Sequence, residues 1–521
     1  MNEKSPLTPL TTFFAKPYWL YALLVILAVL GGYLLFYDMH FGPWAYSDSA
    51  EYIISAKNLI AGNGLGIYSP SNNFMQLSLH PPFYSFLLTP FLAFNLDIFI
   101  VIKWLNIFLF TGTILVLGFG IYQITRSSIL ALSVAILFLV SPAMVNNFNG
   151  AMTEPTFIFL TIANLICLNI YLKQKKKWVF WLAIGAASLA TLTRYIGLVS
   201  IFMGFLMLLL FAEHTWKKRI TTSLLYLVAT AIPVGIWFLS IGALSGSMAA
   251  RNIELDKGVW EAITVNRIAF TEILAKWLPF RLEWFSLWRS KTMTIYATVL
   301  VSTTLLIVLL VNWWKKRDQN SSYPLILILS ACTYLVGYLG FLIVSYFSSI
   351  PPDLNERMFS PLQVFIFIFV FGVLILALKT FHLKKFFYLV PLTVVVMLSI
   401  SYWQQTRTIV LDRHENPKSY SAPKWKNSEL IQEIKELEGR PIIYSNHPVG
   451  VILHTGFYPY EMSSLAFHHD QNKLYDDFVI AIFKPVEADD QRILDKLFEL
   501  EGISSSMFET SDGVLYLVWL E

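Results

Sequence analysis

Charge is scarce in this sequence. Asp, Glu, Lys and Arg make up 14% of its 521 residues, against roughly 25% in an average soluble domain, while 56% are hydrophobic and the mean hydropathy is +0.58. That balance excludes a soluble enzyme. Cysteine is nearly absent, and Cys167 and Cys332 both fall inside apolar runs, so neither a disulfide framework nor a cysteine metal cluster is available. Also lacking are an internal repeat, a Walker loop, a GxGxxG turn and the inverted symmetry between halves on which many transporters are built. The net charge of +4 is too even to point to nucleic acid as a partner.

What is abundant is apolar sequence in runs of about 20 residues, each long enough to cross a hydrocarbon layer of roughly 30 Å. Hydropathy predicts about eleven spans, near 18–37, 98–121, 128–143, 155–172, 178–193, 195–213, 220–243, 292–313, 324–347, 359–378 and 386–402. The first run lacks a small-residue cleavage site after it and reads as a retained span. Arg126, Lys173/Lys175/Lys176/Lys177, Lys217/Lys218/Arg219, Lys315/Lys316/Arg317 and Lys379/Lys384/Lys385 all follow even-numbered spans. The positive-inside rule then predicts a cytoplasmic N-terminus and an extracytoplasmic C-terminus. Residues 38–97, 244–291 and 403–521, with the short loops 143–154 and 348–358, fall together on the outer face, so any chemistry is expected there.

The first outer segment opens with SDSAEYIISAKNLIAGNG, whose apolar positions share a helical face and whose Gly62 and Gly64 stop it. It reads as a helix on the membrane surface. The turn-rich SPSNN follows, then HPPFYSFLLTPFLAF, where a proline pair starts a helix. Segment 244–291 interleaves aromatics with Arg251, Lys257, Arg267, Lys276, Arg281, Arg289 and Lys291, the pattern of interfacial helices. After Trp403 the composition turns soluble, with alternating helix and strand patterns and a hairpin turn at Asp512-Gly513, which predicts a small α/β domain over 403–521.

Few outer polar groups adjoin span ends. Asp48 and Glu51 stand one helical turn apart, either as a capping box with Asp48 as the cap or as carboxylates able to take a proton from a hydroxyl. Glu154 opens a span where an unpaired charge is costly, either as part of a helix start capped by Thr153 or as a site group. Arg194 interrupts an apolar run at the outer mouth, as a snorkelling anchor or as an inward-facing charge. Arg251 with Asn252, and Arg357 in SSIPPDLNERMFSPL, offer planar forks that match phosphate oxygens. His80 precedes the proline pair as a hydrogen-bonding or cation-binding candidate. His468-His469-Asp470 lacks further ligands at zinc spacing.

In order, D-S-A-E-Y (48–52), A-K-N-L-I-A-G-N-G (56–64), H-P-P-F-Y-S-F-L (80–87), T-E-P-T-F (153–157), L-T-R-Y-I-G-L (192–198), R-N (251–252) and N-E-R-M-F-S-P-L (355–362) resemble the GT-C superfamily of membrane glycosyltransferases. Within it, the sequence is similar to the protein O-mannosyltransferases and the lipid A aminoarabinose transferase. The resemblance covers about residues 18–402. It implies a polytopic all-α GT-C transmembrane domain over 1–402, ahead of the extracytoplasmic α/β domain, in the inner or plasma membrane. It also implies transfer of one sugar from a polyprenyl-phosphate donor to a lipid, glycan or protein acceptor on the outer face, with inversion. By position, Asp48 is then the active-site acid of the first outer loop, with Glu51 and Glu154 as further catalytic candidates. Arg357, Arg194 and Arg251 are the donor-phosphate candidates, and Tyr52, His80 and Asn252 the substrate-binding ones. No cofactor is required, and a divalent cation held by Asp48, Glu154 or His80 is an option the residues leave open. The rival expectation is a carrier or flippase for a lipid-linked sugar, which needs the groove and the arginines but no base.

Overall fold

A computed structural model describes residues 18–212, 215–245, 257–278, 287–316, 322–470, 477–499 and 503–520. Every apolar run is helical. Among the described residues, eight helices are long and apolar enough to cross a membrane: Tyr18–Asp38, Ile98–Thr125, Glu154–Gln174, Trp216–Ala243, Thr292–Lys315, Ser322–Ser345, Glu356–Thr380 and Phe386–Glu415. Three more, Phe83–Ala93, Lys177–Thr193 and Tyr195–Phe211, are apolar but shorter. The chain is an integral membrane protein.

The run near 128–143 departs from expectation. It breaks into Ser128–Val140 and Pro142–Asn149, bent by 57°, so the segment 143–154 opens as a helix and not as a loop. Pro142 cannot donate into the first helix. Ser141 turns extended at the break, accepts from the Met144 amide at 3.3 Å and donates to Gln363 Oε1 at 2.5 Å. Elsewhere the helices approach through small residues: a Cβ on Gly118 would lie 2.2 Å from Leu24 Cδ2.

Buried polar contacts then gather the outer segments. Asp38, at the end of the first helix, accepts from Asn149 Nδ2 at 2.7 Å and from Arg413 Nη1 at 3.3 Å. Trp44 donates its amide to Asn149, and Ala151 donates to the Trp44 carbonyl at 2.8 Å. Helix Val259–Trp277 joins the same face, with Trp277 Nε1 2.9 Å from Glu356 Oε1 and Lys257 Nζ 2.9 Å from the Ser348 carbonyl. Segments far apart in sequence thus meet at one end of the bundle.

The first outer segment forms helix Ser47–Ile60, hairpin β1 (Gly66–Tyr68) and β2 (Phe74–Gln76) around the SPSNN turn, and helix Phe83–Ala93. Helix Ser47–Ile60 buries Tyr52, Ile53, Ile54 and Ala56 in one cluster with Tyr84, Leu88, Ile452 and Leu453. It is therefore covered by the C-terminal region instead of lying open on a membrane surface. The last long helix runs through the composition change at Trp403 to Glu415. Beyond it, β3 (Ile443–Ser445), β4 (Tyr460–Glu461), β5 (Asp477–Phe483), β6 (Ile503–Glu509) and β7 (Gly513–Leu520) form one mixed sheet in the order β4-β3-β5-β7-β6. β3 is parallel to β4 and β5, and the hairpin turning at Asp512-Gly513 is antiparallel. Helices Pro423–Lys426, Glu429–Glu436, Pro448–Thr455, Met462–Asp470 and Ala488–Phe498 pack with the sheet into an α/β unit. It docks on the first outer segment through the Ala45 amide, which donates to Ser419 Oγ, and through the Lys426–Asp97 ion pair.

Candidate active site

Asp48 does not cap its helix. The cap is Tyr46, in extended backbone, and the Ser49 hydroxyl accepts from the Tyr46 amide at 2.9 Å. This overturns the capping-box reading of Asp48 with Glu51, because a smaller hydroxyl already fills that place. The Asp48 carboxylate is left to turn outward, where Arg357 Nη2 donates to Oδ2 at 2.9 Å. Arg357 is itself placed by the start of helix Glu356–Thr380, where the Asn355 side chain accepts from the Met358 amide at 3.1 Å.

Glu154 opens helix Glu154–Gln174 ahead of Pro155 and is 1% exposed. Thr153 precedes it without making a side-chain cap bond. A buried carboxylate survives only if paired, and Glu154 has two arginines: Arg357 Nε at 3.1 Å and Arg194 Nη1 in direct contact. Arg194 lies at the extended junction after Lys177–Thr193, and its other nitrogen reaches Met358 Sδ at 3.4 Å. It faces into the bundle, so the snorkelling reading fails for it. Asp48, Arg357, Glu154 and Arg194 thus form a chain of alternating charge drawn from four separate segments.

Beside this chain, Glu51 faces His80, with Oε2 3.4 Å from Nε2, and His80 Nδ1 lies 3.2 Å from the Tyr52 hydroxyl. Burial and the charge of Asp48 push the Glu51 carboxyl up to about 7. Tyr458, from the C-terminal α/β unit, is pushed up to about 12 by burial and by Glu51 and Asp48. Its place near these acids was not legible in the sequence, since nothing local marks a tyrosine more than 400 positions away as a neighbour of Asp48.

Asp48, Glu51, Tyr52, His80, Arg194 and Arg357 line a cavity of about 460 Å³. Arg357 and Glu154 also wall a second cavity of about 210 Å³ with Asn147, Glu356 and Arg413. Arg413 is a further basic residue that sequence reading missed, because it sits late in a long helix. A third, apolar cavity of about 430 Å³ lies between the first outer segment and helix Trp216–Ser245, lined by Leu65, Phe86, Ile236 and Trp237 among others. Trp237 Nε1 donates to the Tyr195 hydroxyl at 3.2 Å, and Tyr195 lines the polar cavity, so the two spaces share a wall.

Asp48, Glu51, Tyr52, His80, Glu154, Arg194 and Arg357 therefore come together. Arg251 and Asn252 lie outside the described residues. No three His, Cys, Asp or Glu residues gather in a metal-holding group among the described residues. His468 is occupied structurally, 2.7 Å from the Tyr444 hydroxyl.

Comparison with known proteins adds to this geometry. Residues 74–245 match the family model for dolichyl-phosphate-mannose-protein mannosyltransferase. No curated protein sequence matches the chain. Among solved structures, arabinofuranosyltransferase AftD from Mycobacteria is 11% identical, with a TM-score of 0.52 over 96% of this chain and 41% of that one. ArnT from Cupriavidus metallidurans bound to undecaprenyl phosphate is 11% identical, with a TM-score of 0.48 over 96% of this chain and 98% of that one. The oligosaccharyltransferase AglB from Archaeoglobus fulgidus, in complex with an inhibitory peptide and a dolichol-phosphate, is 10% identical, with a TM-score of 0.49 over 96% and 74%. The chain has the GT-C fold of membrane glycosyltransferases, with a small sheet region near its C-terminus.

Proposed function

We propose that this protein transfers one sugar from a polyprenyl-phosphate donor to an acceptor hydroxyl or amine at the polar cavity, with inversion and with Asp48 as the base. The carrying observation is that Asp48 is released from capping and held by Arg357 in a cavity beside an apolar space. The family model matched over 74–245 names a dolichyl-phosphate-linked mannose as donor, which supports the same donor class.

The chemistry follows from these groups. The acceptor atom forms a bond to the anomeric carbon, and the bond from that carbon to the phosphate oxygen breaks. The electron pair leaves with the lipid monophosphate, and the acceptor proton passes to Asp48. Charge grows on the phosphate as it leaves, and Arg357 and the more buried Arg194 are the cations available to meet it. A phosphate on Arg357 competes with Asp48 for the same guanidinium, so donor binding frees the carboxylate to accept its proton. Glu154, held between both arginines, is a positioning residue for them. The apolar cavity suits the first isoprene units of the donor tail.

On this reading the cavity faces the extracytoplasmic side, because the clusters of Lys and Arg lie at the other end of the bundle. The test is reconstitution of the full chain with a polyprenyl-phosphate sugar and acceptor candidates. Free polyprenyl phosphate should appear in step with glycosylated acceptor. A donor that crosses the bilayer intact, with no polyprenyl phosphate released, would make the protein a carrier.

A further inference from the structure

At the end of the bundle away from the polar cavity lies another cavity, of about 470 Å³. Helices Glu154–Gln174 and Glu356–Thr380 connect the two: Glu154 and Arg357 are at one end, Lys173 and Lys379 at the other. At 1.5 Å per residue the separation is roughly 30 Å, the thickness of a hydrocarbon core. The far cavity thus opens at the opposite membrane boundary.

Its charge differs from that of the candidate active site. There, Arg194 and Arg357 are balanced by Glu154 and Asp48. Here Arg126, Lys173 and Lys379 line the space with no Asp or Glu in the lining, and none of the three has an acidic partner among the described residues. Lys173 is partly engaged, since Nζ donates to the Gln123 and Ile124 carbonyls at 2.6 and 2.8 Å, closing the end of helix Ile98–Thr125. Arg126 caps that helix in left-handed backbone, φ 54°, and its guanidinium lies 5.6 Å from the Tyr122 ring of the same helix while lining the cavity. The rest of the wall mixes Thr125, Asn312, Thr380 and His382 with an apolar stretch of Leu309 and Trp313 from helix Leu287–Lys316 and Leu376 from the helix of Lys379.

Basic residues at helix ends also serve simply to complement helix carbonyls and to fix orientation. That role explains Lys173, but it needs neither a cavity nor a convergence of cations from three helices on it. A pocket with a cationic rim and an apolar wall, at the depth of lipid headgroups, is complementary to a molecule with a phosphate at one end and a hydrocarbon chain at the other. We propose that this cavity is a binding site for an anionic phospholipid, its phosphate held by Arg126, Lys173 and Lys379 and its chain lying along Leu309, Trp313 and Leu376. This site is separate from the donor site, and its occupancy does not depend on the reaction proposed above.

The test is native mass spectrometry of the purified full chain with phosphatidylglycerol and, separately, phosphatidylcholine. The wild type should retain phosphatidylglycerol in preference. Arg126→Asn with Lys379→Gln should reduce that retention roughly tenfold or more and leave phosphatidylcholine retention and the melting temperature near wild type. Asn is chosen because it tolerates the left-handed backbone at 126. Lys217→Gln with Lys218→Gln, outside the cavity, should retain phosphatidylglycerol like the wild type. If the double variant at 126 and 379 fails to fold, Lys379→Gln alone should still lower retention several-fold. Equal retention by wild type and folded variants would overturn the site. Displacement of the lipid by inorganic phosphate as readily as by phosphatidylglycerol would overturn the lipid assignment and leave a free-phosphate site.

Discussion

The Glu51 carboxyl in the polar cavity is pushed up to about 7 by burial and by the charge of Asp48. The unfolded chain releases that proton near the ordinary range for Glu. Between roughly pH 5 and 7, therefore, the folded state holds a proton that the unfolded state has lost, and stability falls as pH rises through that window. Glu51→Gln removes the penalty. Its melting temperature should exceed the wild type's by a few degrees at pH 8 and match it at pH 5, as a thermal shift series would read. Transfer should survive this substitution, because Glu51 lies toward His80 and away from Arg357. Glu154 is the opposite case. Removing its charge leaves Arg194 and Arg357 without their shared buried partner, so Glu154→Gln should cost about 3 kcal/mol of stability in denaturation measurements and lower donor use as well. A variant with normal stability and normal turnover would make the arginine pairing incidental.

At the scale of elements, the apolar runs, the Pro81-Pro82 helix start, the SPSNN turn and the Asp512-Gly513 hairpin were all readable, because each is written in a local pattern. The break at Pro142 was not. The composition across it is continuous, and what holds the bend is Ser141 reaching Gln363, 222 positions away. The short strand Tyr460–Glu461 and helix Met462–Asp470 also escaped, since two residues carry no alternation and the helix has little amphipathic pattern. For the site, sequence order marked Asp48, Glu154, Arg194 and Arg357, but their mutual pairing depends on contacts across as many as 309 positions. Capping failed as an explanation of Asp48 because Ser49 was an equally good candidate one residue later. Close helix contacts make their own prediction. Gly118→Val would drive a side chain into Leu24, and it should lower the melting temperature of the purified protein while Asp48 chemistry, per folded molecule, is retained.

For the whole molecule, five segments separated in sequence converge on one end of the bundle, and the basic clusters fall at the other. A reporter fused after Glu521 should therefore be extracytoplasmic, and one placed in the 173–177 loop cytoplasmic. The reverse pattern would put Asp48 beside soluble nucleotide sugars and remove the need for a lipid-linked donor. The α/β unit is part of this arrangement, since it covers helix Ser47–Ile60 and brings Tyr458 toward Glu51 and Asp48.

The central claim is that Asp48 takes the acceptor proton, and Asp48→Asn tests it most directly. The substitution keeps the volume and a hydrogen-bond acceptor for Arg357, which also retains Glu154 at 3.1 Å. The lost ion pair is partly exposed, 27% at Asp48 and 34% at Arg357, so little stability should go with it. Single-turnover measurement on the reconstituted protein, with bound donor quantified in parallel, should show transfer falling by roughly 10²-fold or more while donor binding is kept or strengthened and melting stays near wild type. An Asp48→Asn protein that still transfers sugar at close to the normal rate would contradict the account.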